Sequence, residues 1–404
     1  MFALAALAAT GAFAQSSISI TGLVDLGINQ TNFKGNTVLT TGAANGSATS
    51  NFTIAGTEDM GAGTTAEFRW EMDPDLANTS SRTGGTPATG TTSNVTSFLG
   101  NGASWVGATN ATLGSIKFGT PNIQTLSANG EGNGGFATAI GSGYRVSSFD
   151  AVRFQNSMRY DTPVMAGFAV SLVYSAQNDK QRNVASTGLT GNFQNQTSGR
   201  DGAQEIGLTY AGGPLSVRYA NLVIKQYASL VTSSTVATTG VYDGATLLTP
   251  ANLGAQFKLD TLSAKYSNAL PGLNLSYFYQ KATSDTLSAA TATGTLGTQK
   301  FDRTTNGIAA SYAITPVLTA MVNYQEVKNG SAAASTTGSK ANLNAKVTGL
   351  GLDYALSKRT TVYARYENDA DSAASFRSIA GTGYTAATGN VTYTAAAVGL
   401  RHTF

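Results

Sequence analysis

Apolar and polar residues alternate along many short segments of this chain. Near the N-terminus, Ile18, Ile20 and Ile28 share one parity. The other parity carries Asp25 and Asn29. A period of two is typical of a β-strand with two different faces, because successive side chains point to opposite sides. The pattern therefore predicts strands, with an apolar face and a polar face on each.

The alternation continues to the C-terminus and predicts an all-β protein. It predicts about sixteen strands, an even number that would close an antiparallel barrel without edges. Their expected ranges are 17–30, 49–57, 62–75, 102–110, 114–120, 152–161, 165–177, 202–211, 214–227, 253–267, 272–283, 302–313, 316–328, 345–355, 360–369 and 391–404. A closed barrel of this size leaves an aqueous lumen instead of a packed core.

A tyrosine stands immediately before a short turn in several of these hairpins. The residues are Tyr160, Tyr210, Tyr266, Tyr312 and Tyr354. A tyrosine ring is apolar while its hydroxyl needs water, so this placement is typical of a membrane interface. Long segments rich in Gly, Ser, Thr, Asn and Ala occur at 178–200, 229–252, 284–300, 329–345 and 370–390. Short turns that alternate with long polar loops predict an outer-membrane β-barrel.

The composition supports this prediction and disfavours other classes of protein. Charged residues make up only 12% of the 404 residues, whereas a soluble globular protein carries about a quarter. Lys and Arg number 25 against 22 Asp and Glu, which argues against nucleic acid as a partner. The chain has no cysteine and one histidine, His402, so thiolate metal sites and common catalytic triads are disfavoured. We expect no catalytic residues, no cofactor and no metal.

The first 14 residues, MFALAALAATGAFA, predict a signal peptide. They are apolar and end in an A-x-A cleavage pattern at residues 12–14. The positively charged start of such a peptide is missing, which indicates a truncated n-region. Residues 15–404 are then the barrel. No later segment holds 18 consecutive apolar residues, so any membrane crossing must use strands.

Several motifs resemble the general porins of Gram-negative bacteria, particularly the trimeric branch typical of betaproteobacteria. They are SISITGLVD at 17–25, GTEDMG at 56–61, NSMRYDTP at 156–163, LSKRT at 356–360 and VGLRHTF at 398–404. The resemblance implies a homotrimer of sixteen-stranded transmembrane β-barrels in the bacterial outer membrane, each with an inward-folded third loop. Its implied partners are outer-membrane lipid, lipopolysaccharide, ions and small hydrophilic solutes. The terminal Phe404 resembles the assembly signal of outer-membrane proteins.

The constriction loop implied by the resemblance covers about residues 121–151. This segment contains several glycines, which let a chain bend sharply in a confined lumen. Its GEGNGG run at 130–135 is superficially similar to a phosphate-binding loop. However, no Gly-Lys-Ser/Thr follows and no helix pattern opens there, so we interpret the glycines as loop flexibility.

Charged residues at the alternate strand positions that face the lumen, here called the lumen parity, are the candidates for ion selectivity. Rings of charge bias which ions enter a pore. The expected constriction and selectivity residues are Arg69, Lys117, Glu131, Arg145, Arg153, Arg159 and Arg365. The lumen parity also carries Arg218, Lys265, Arg303 and Arg401, with the acids Asp25, Glu67, Glu71, Glu205 and Asp353. Resembling porins commonly have arginines where this chain has Asn51, Ala55 and Thr120. We therefore expect a passive channel that is weakly anion-preferring or nearly unselective.

Three other functions are compatible with parts of the sequence. A substrate-specific outer-membrane channel would use aromatic residues of the loop, such as Phe136, Tyr144 and Phe149, to line the passage. A non-conducting surface adhesin or structural barrel would share the Gly, Thr and Asn richness, although the unequal spacing of the tyrosine turns disfavours a solenoid. A barrel enzyme would have to use His402, whose parity with Val398 places it on the lipid side.

Overall fold

The computed structural model describes residues 16–33, 36–44, 46–74, 102–143, 152–176, 200–226, 256–290, 296–329, 344–371 and 391–404. The predicted signal peptide at 1–14 and most of the predicted long loops lie outside these ranges. In the described part of the chain, we find no helix with the length and apolar character needed to cross a bilayer.

The described residues form seventeen β-strands in one antiparallel sheet. The strands are β1 (Ser16–Phe33), β2 (Asn36–Ala44), β3 (Asn51–Gly61), β4 (Thr64–Met72), β5 (Ser104–Asn110), β6 (Gly114–Thr120), β7 (Ser157–Asp161), β8 (Phe168–Ser175), β9 (Arg200–Gly212), β10 (Leu215–Gln226), β11 (Gln256–Leu270), β12 (Leu273–Ala290), β13 (Leu296–Ala313), β14 (Leu318–Asn329), β15 (Ala345–Ala355), β16 (Thr360–Asp371) and β17 (Val391–Thr403).

The sheet closes on itself as a barrel with sixteen strand positions. From β3 to β17 each strand pairs with its sequence neighbour, and β1 pairs with β17 to close the ring, placing Asp25 opposite Arg401. On its other edge, β1 pairs with β3 along its first half and with β2 along its second half. β2 and β3 therefore share one position, separated by the bend at residues 46–50. The predicted all-β, sixteen-stranded antiparallel barrel is confirmed.

The alternation of the sequence separates the two faces of the wall. On β9, Ile206 is 57% exposed on the outside, while its neighbour Glu205 is 1% exposed on the inside. An outer apolar surface suits lipid, and a closed ladder leaves no unpaired backbone polar groups in the bilayer. The tyrosines before the short turns lie on the outer face, where Tyr266, Tyr312 and Tyr354 are each exposed.

A second set of outward tyrosines lies farther from the short turns, four to six residues into strands β8, β10, β12, β14 and β16. They are Tyr174, Tyr219, Tyr277, Tyr324 and Tyr366, and all are exposed. Two aromatic girdles that flank an apolar band are typical of outer-membrane barrels. In the sequence, the long connecting segments join the strand ends on the side of this second girdle, so we assign this end of the barrel to the external side and the short turns to the periplasmic side.

Two stretches that lie outside the predicted strands are strands in the structure. β2 was missed entirely, and β12 and β13 continue into the predicted loop at 284–300, where Ser288 pairs with Thr298. Backbone ladder bonds need no apolar face, so strands can continue through sequence that has lost the two-residue alternation. The prediction relied on that alternation and therefore ended these strands too early.

Candidate functional site

The third external connection enters the lumen after β6. It forms a helix, α1 (Gln124–Gly132), followed by a 3-10 turn at Gly134–Phe136. α1 contacts β10, β11 and β12, so the rest of the lumen lies toward β1–β7 on the opposite wall. The sequence pattern indicated no helix here. The helix ends at the glycine run instead of starting after it, the reverse of a phosphate-binding loop.

Apolar contacts seat the start of this loop against the wall. Ile123 is fully buried in a cluster that includes Phe154, Leu222, Ile224 and Phe257. Burial of such side chains favours the docked loop by about 1.5–3 kcal/mol for each large residue. The cluster lies inside the barrel, where an aqueous lumen would otherwise cover it. The loop is therefore a packed part of the wall along this side.

Glu205 of β9 binds the N-terminus of α1. Its carboxylate accepts hydrogen bonds from the backbone N–H groups of Gln124 at 2.5 Å and Thr125 at 3.0 Å. The Thr125 hydroxyl donates a third bond at 2.6 Å. The first N–H groups of a helix lack intrahelical partners and carry partial positive charge. A buried carboxylate satisfies both requirements, so Glu205 fixes where the helix begins.

Glu131 binds the other end of α1 to the wall. Its Oε2 accepts bonds from the Ser216 hydroxyl at 2.7 Å and from Nε of Arg218 at 3.1 Å. Its Oε1 accepts a bond from the Ser263 hydroxyl at 3.0 Å. All three partners lie on β10 and β11. The acidic loop residue predicted from the sequence is therefore paired to the wall behind it.

Glu367 of β16 holds the far end of the described loop. Its Oε2 accepts the backbone N–H groups of Gly141 at 2.8 Å and Gly143 at 3.0 Å. Asn323 donates from Nδ2 to the carbonyls of Gly141 and Ser142 at 3.0 and 2.8 Å. Gly141 has φ +98°, and a Cβ there would lie 2.3 Å from the Phe136 ring. Only glycine therefore fits this bend.

The wall opposite α1 carries cations that share acidic partners. On β4, Arg69 binds Glu71 through two nitrogens, one of them Nε at 3.1 Å, and donates to the Thr53 hydroxyl at 3.3 Å. Arg153, after the loop, lies 3.9 Å from Glu71 and 3.4 Å from Asp73. These side chains form one alternating network at the external end of β4.

A second group lies on β6 and β7. Asp161 accepts bonds from Arg159 at 2.7–3.0 Å and lies 3.6 Å from Nζ of Lys117. Arg159 also donates to the backbone carbonyl of Asn122 at 2.6 Å, which ties it to the start of the constriction loop. The Lys117 ammonium lies 5.1 Å from the Trp105 ring centroid. Asp161 thus balances only one of the two predicted cations, and the group keeps one net positive charge.

A third group surrounds the bend between β2 and β3. Asp25 is fully buried and accepts the backbone N–H groups of Ser47 at 2.7 Å and Ala48 at 2.5 Å. The Tyr363 hydroxyl donates to its other oxygen at 2.5 Å. The Ser50 hydroxyl accepts a hydrogen bond from the backbone N–H of Asp25 and donates one to the backbone carbonyl of Asp25. Asp25 thus holds this bend inside the barrel, beside β16 and β17.

Arg365 and Arg401 lie next to this bend. Arg365 donates to Asp353 at 2.7 Å and to the Ser47 hydroxyl at 3.2 Å. Arg401 donates to the same hydroxyl at 2.9 Å and lies 3.8 Å from Asp353. The Arg365 guanidinium also lies 5.7 Å from the ring of Phe136 in the constriction loop. Arg365 is almost completely buried, and its role is to join loop and wall.

The structure therefore groups the predicted residues by shared carboxylates. Arg69 and Arg153 meet at Glu71, and Lys117 and Arg159 meet at Asp161. Glu131 lies across the lumen, and Arg365 belongs to a separate cluster. Arg145 lies outside the described residues, as do Tyr144 and Phe149.

Sequence reasoning named Glu131 and Glu205 but missed other residues around the constriction loop. Glu367 is two residues from Arg365 on the same strand, so its side chain faces the lumen as well. This position in the alternation was the signal that could have identified it. Asp73 lies just past the end of β4, where the alternation of a strand no longer shows which side chains face the lumen. Asn323 is neutral, so a search for charges could not find it.

The described residues offer no arrangement suited to enzymatic chemistry. They contain no group of three or more His, Cys, Asp or Glu that could hold a metal ion. His402 lies on the outer face near the short-turn rim, where its Nδ1 is 2.9 Å from the Thr360 hydroxyl. An outward imidazole on the lipid side has no access to a solute in the lumen.

Known structures share this fold. An anion-selective porin from Comamonas acidovorans is 20% identical, with a TM-score of 0.67 over 96% of this chain and 100% of that chain. The trimer form of OmpT from Vibrio cholerae is 13% identical, with a TM-score of 0.59 over 96% and 99%. OmpF of Salmonella typhi, in complex with daunomycin, is 16% identical, with a TM-score of 0.57 over 96% and 97%.

No curated protein matches the sequence. In contrast, a family model described as Gram-negative porin matches residues 2–374. This match spans most of the chain and agrees with the closed barrel and its inward loop. It confirms the prediction of a passive, non-enzymatic diffusion channel that crosses the bacterial outer membrane many times. The chain therefore belongs to the Gram-negative porin family.

Proposed function

We propose that this channel is weakly anion-preferring, close to unselective, and passes ions and small hydrophilic solutes. The observation that carries this proposal is the pairing of the lumen charges with the cation turned toward the water. The Arg69 side chain is 37% exposed against 12% for Glu71, and Arg218 is 31% exposed against 11% for Glu131. In these two pairs, ions in the lumen therefore meet the positive member first, whereas the carboxylate is the more exposed partner in Arg159–Asp161 and Arg365–Asp353.

The pairing also limits the strength of the preference. A carboxylate within about 4 Å cancels most of the field of its partner beyond one Debye length, which is about 10 Å at 0.1 M salt. Lys117 and Asp161 are equally exposed, and buried Arg365 contributes little to the surface of the pore. A strongly selective pore needs rings of unbalanced charge. The described wall offers mixed pairs, so a small preference is expected.

Substitution of Arg69 tests this proposal. Arg69→Gln should lower the anion-to-cation permeability ratio by about twofold, since one charge at roughly 7 Å shifts ion energies by a few tenths of a kcal/mol after screening. The reversal potential in a planar bilayer under a KCl gradient measures the ratio. Arg359→Gln is the matched control, because it removes the same charge in an exposed short turn at the rim. An equal effect from both variants, or a cation-selective unsubstituted channel, would refute the assignment.

The selectivity should also depend on pH through Asp73. Burial raises the pKa of Asp73 from 3.8 to about 6, against the opposing effect of Arg153. The charged groups facing it are Arg153, Glu71 and Arg69. Acidification from about pH 8 to about pH 5 should protonate Asp73 and leave one more net positive charge. We expect the anion preference to rise by about twofold with a midpoint near pH 6.

The raised pKa of Asp73 also makes the stability of the folded state depend on pH. The folded state binds this proton more tightly than the unfolded state, so acidification from neutral pH through about pH 6 increases the stability that Asp73 contributes. Asp73→Asn should remove the step in selectivity near pH 6 and hold the higher anion preference at all pH values. A step of unchanged size in that variant would assign the titration to another group.

We also propose a homotrimer. The outer faces of β1, β5 and β6 expose large apolar side chains, such as Ile18, Ile20, Val106 and Phe118. Such a patch fits either lipid or a second copy of the chain. The similar fold of the OmpT trimer form supports the second choice. Cross-linking in the native membrane should give a trimeric band, whereas a monomeric band alone would contradict it.

Lipopolysaccharide is the proposed partner at the external rim. Outward lysines lie at this end of neighbouring strands, among them Lys328 and Lys346, the latter 65% exposed. Ammonium groups above a tyrosine girdle suit the phosphates of an outer-leaflet headgroup. The Lys328→Gln, Lys346→Gln double variant should retain less lipopolysaccharide after detergent extraction. Equal retention would argue against this rim as the contact.

A further inference from the structure

A cavity of about 270 Å³ lies between the constriction loop and the wall of β10–β13. Its lining includes Ser127, Glu131, Arg218, Lys265, Ser276 and Ser311. We propose that this cavity is a binding site for a monoanionic hydroxycarboxylate, such as a sugar acid, on its way through the pore. The inference rests on the proposed function, because the lumen would deliver the solute to it.

The charges of the cavity favour a single negative charge. Arg218 and Lys265 are both positive, and Glu131 cancels one of them. Glu131 is already bonded to Arg218 at 3.1 Å. Lys265 makes no ion pair or hydrogen bond within the described residues. It sits across the ladder from Ser216 on one side and Ser276 on the other. Its ammonium is thus available to a carboxylate, while Glu131 disfavours a second negative charge.

Neutral hydroxyl groups surround the cations. Ser127 and Ser276 form no side-chain hydrogen bond in the described part of the protein. Ser311 accepts a bond from Asn274 at 3.2 Å and retains its own proton to donate. A serine hydroxyl can both donate and accept. Groups of this kind match the hydroxyls of a sugar acid better than they match a simple halide.

The glycines of the loop leave space for such a solute. A Cβ at Gly130 would meet no atom within 4 Å, so this position opens into the cavity. Gly134 has φ +63°, and a Cβ there would lie 3.0 Å from the Ala309 Cβ and 3.8 Å from the Ser276 hydroxyl, so Gly134 packs against the wall beside this opening. The volume would hold about nine waters at roughly 30 Å³ each. This is room for an acid of about six carbons and far more than one inorganic ion needs.

The position of the cavity gives it access to the permeation path. Arg218 retains 31% exposure although it pairs with Glu131, so this side of the cavity opens to the lumen. Lys265 and Ser311 both lie close to the short turns that follow them in the sequence. The cavity is thus on the periplasmic side of α1. A solute that passes the constriction meets it next.

Blocking experiments with gluconate test the proposal. In planar bilayers containing the full-length protein in KCl, gluconate should reduce the current in a saturable way, and glucose should not. Lys265→Gln should raise the half-blocking concentration by about tenfold, the usual effect of losing one charged hydrogen bond. Gly130→Leu should abolish the block by filling the cavity while leaving the net charge unchanged. Lys358→Gln, in an exposed short turn, is the matched control.

Each alternative result has a defined meaning. An equal block by glucose would show that the solute need not be an anion. A stronger block by glucose 6-phosphate would contradict the preference for a single negative charge. An unchanged block in Lys265→Gln and Gly130→Leu would place binding elsewhere. If the protein forms no channel at all, the proposed function fails, and calorimetric titration of the detergent-solubilised protein with gluconate still tests the site. Lack of binding there would refute it.

Discussion

Glu205→Gln should release the constriction loop while the barrel stays closed. The carboxylate accepts bonds from the Gln124 N–H, the Thr125 N–H and the Thr125 hydroxyl. A glutamine amide keeps one oxygen and turns an NH₂ donor toward these donors. Each buried donor left unsatisfied costs about 1–3 kcal/mol, and the negative charge at the helix start is lost as well. We expect the docked loop to weaken by about 3 kcal/mol.

Two measurements report the release. The open-channel current should become noisier, with frequent partial closures, because the helix can move within the lumen. Proteases should also cut within residues 121–143 at least about tenfold faster, since local opening controls such cleavage. Glu67→Gln is the matched control. It also removes one negative charge from the lumen, but on β4, away from the loop. Quiet, full-size channels and unchanged cleavage in Glu205→Gln would show that Glu205 does not hold the loop.

Asp25→Asn should give the second large effect, a loss of barrel stability combined with a stronger anion preference. Asp25 accepts three hydrogen bonds, from Ser47, Ala48 and Tyr363, of which those from Ser47 and Tyr363 are buried. Arg401 faces it across the ladder, and Arg365 shares the Ser47 contact. Removing one partner of a buried charged network costs about 3–5 kcal/mol. The remaining arginines also make this part of the lumen more positive.

The change in stability distinguishes this account from a simple charge effect. The temperature at which the barrel loses its compact form on a detergent gel should fall clearly in Asp25→Asn. Asp161→Asn is the comparison, because Asp161 retains 23% exposure and its partners are long cationic side chains that can turn to water. It should change selectivity by a similar amount but stability by less than about 1 kcal/mol. Equal heat resistance of the two variants would show that Asp25 does not hold the bend in place.

The sequence predicted the barrel well because lipid and water impose different residues on alternate positions. Ile206 and Glu205 illustrate this contrast, with neighbouring side chains in opposite solvents. Tyrosines before the short turns also marked one rim. The same signal fails where the alternation stops, as in β2 and the outer ends of β12 and β13. Hydrogen-bonded ladders continue there without it.

The site was only partly predictable, since parity shows which charges face the lumen but not how they pair. Arg365 was predicted as a selectivity residue of the lumen, and it lies buried between Asp353, Ser47 and the Phe136 ring. Glu205 was one lumen acid among several until the loop placed Thr125 beside it. Contacts between an inward loop and distant strands depend on the folded path of the loop, and a local pattern carries no information about that path.

The most direct test of the central claim is conduction by the purified, folded protein in a planar bilayer. A passive, weakly selective pore should open in discrete steps, and its conductance should rise nearly in proportion to salt concentration. Its reversal potential under a salt gradient should be small and have the sign of anion preference. A heat-modifiable, folded barrel that conducts no current, or one that conducts only cations, would contradict the account.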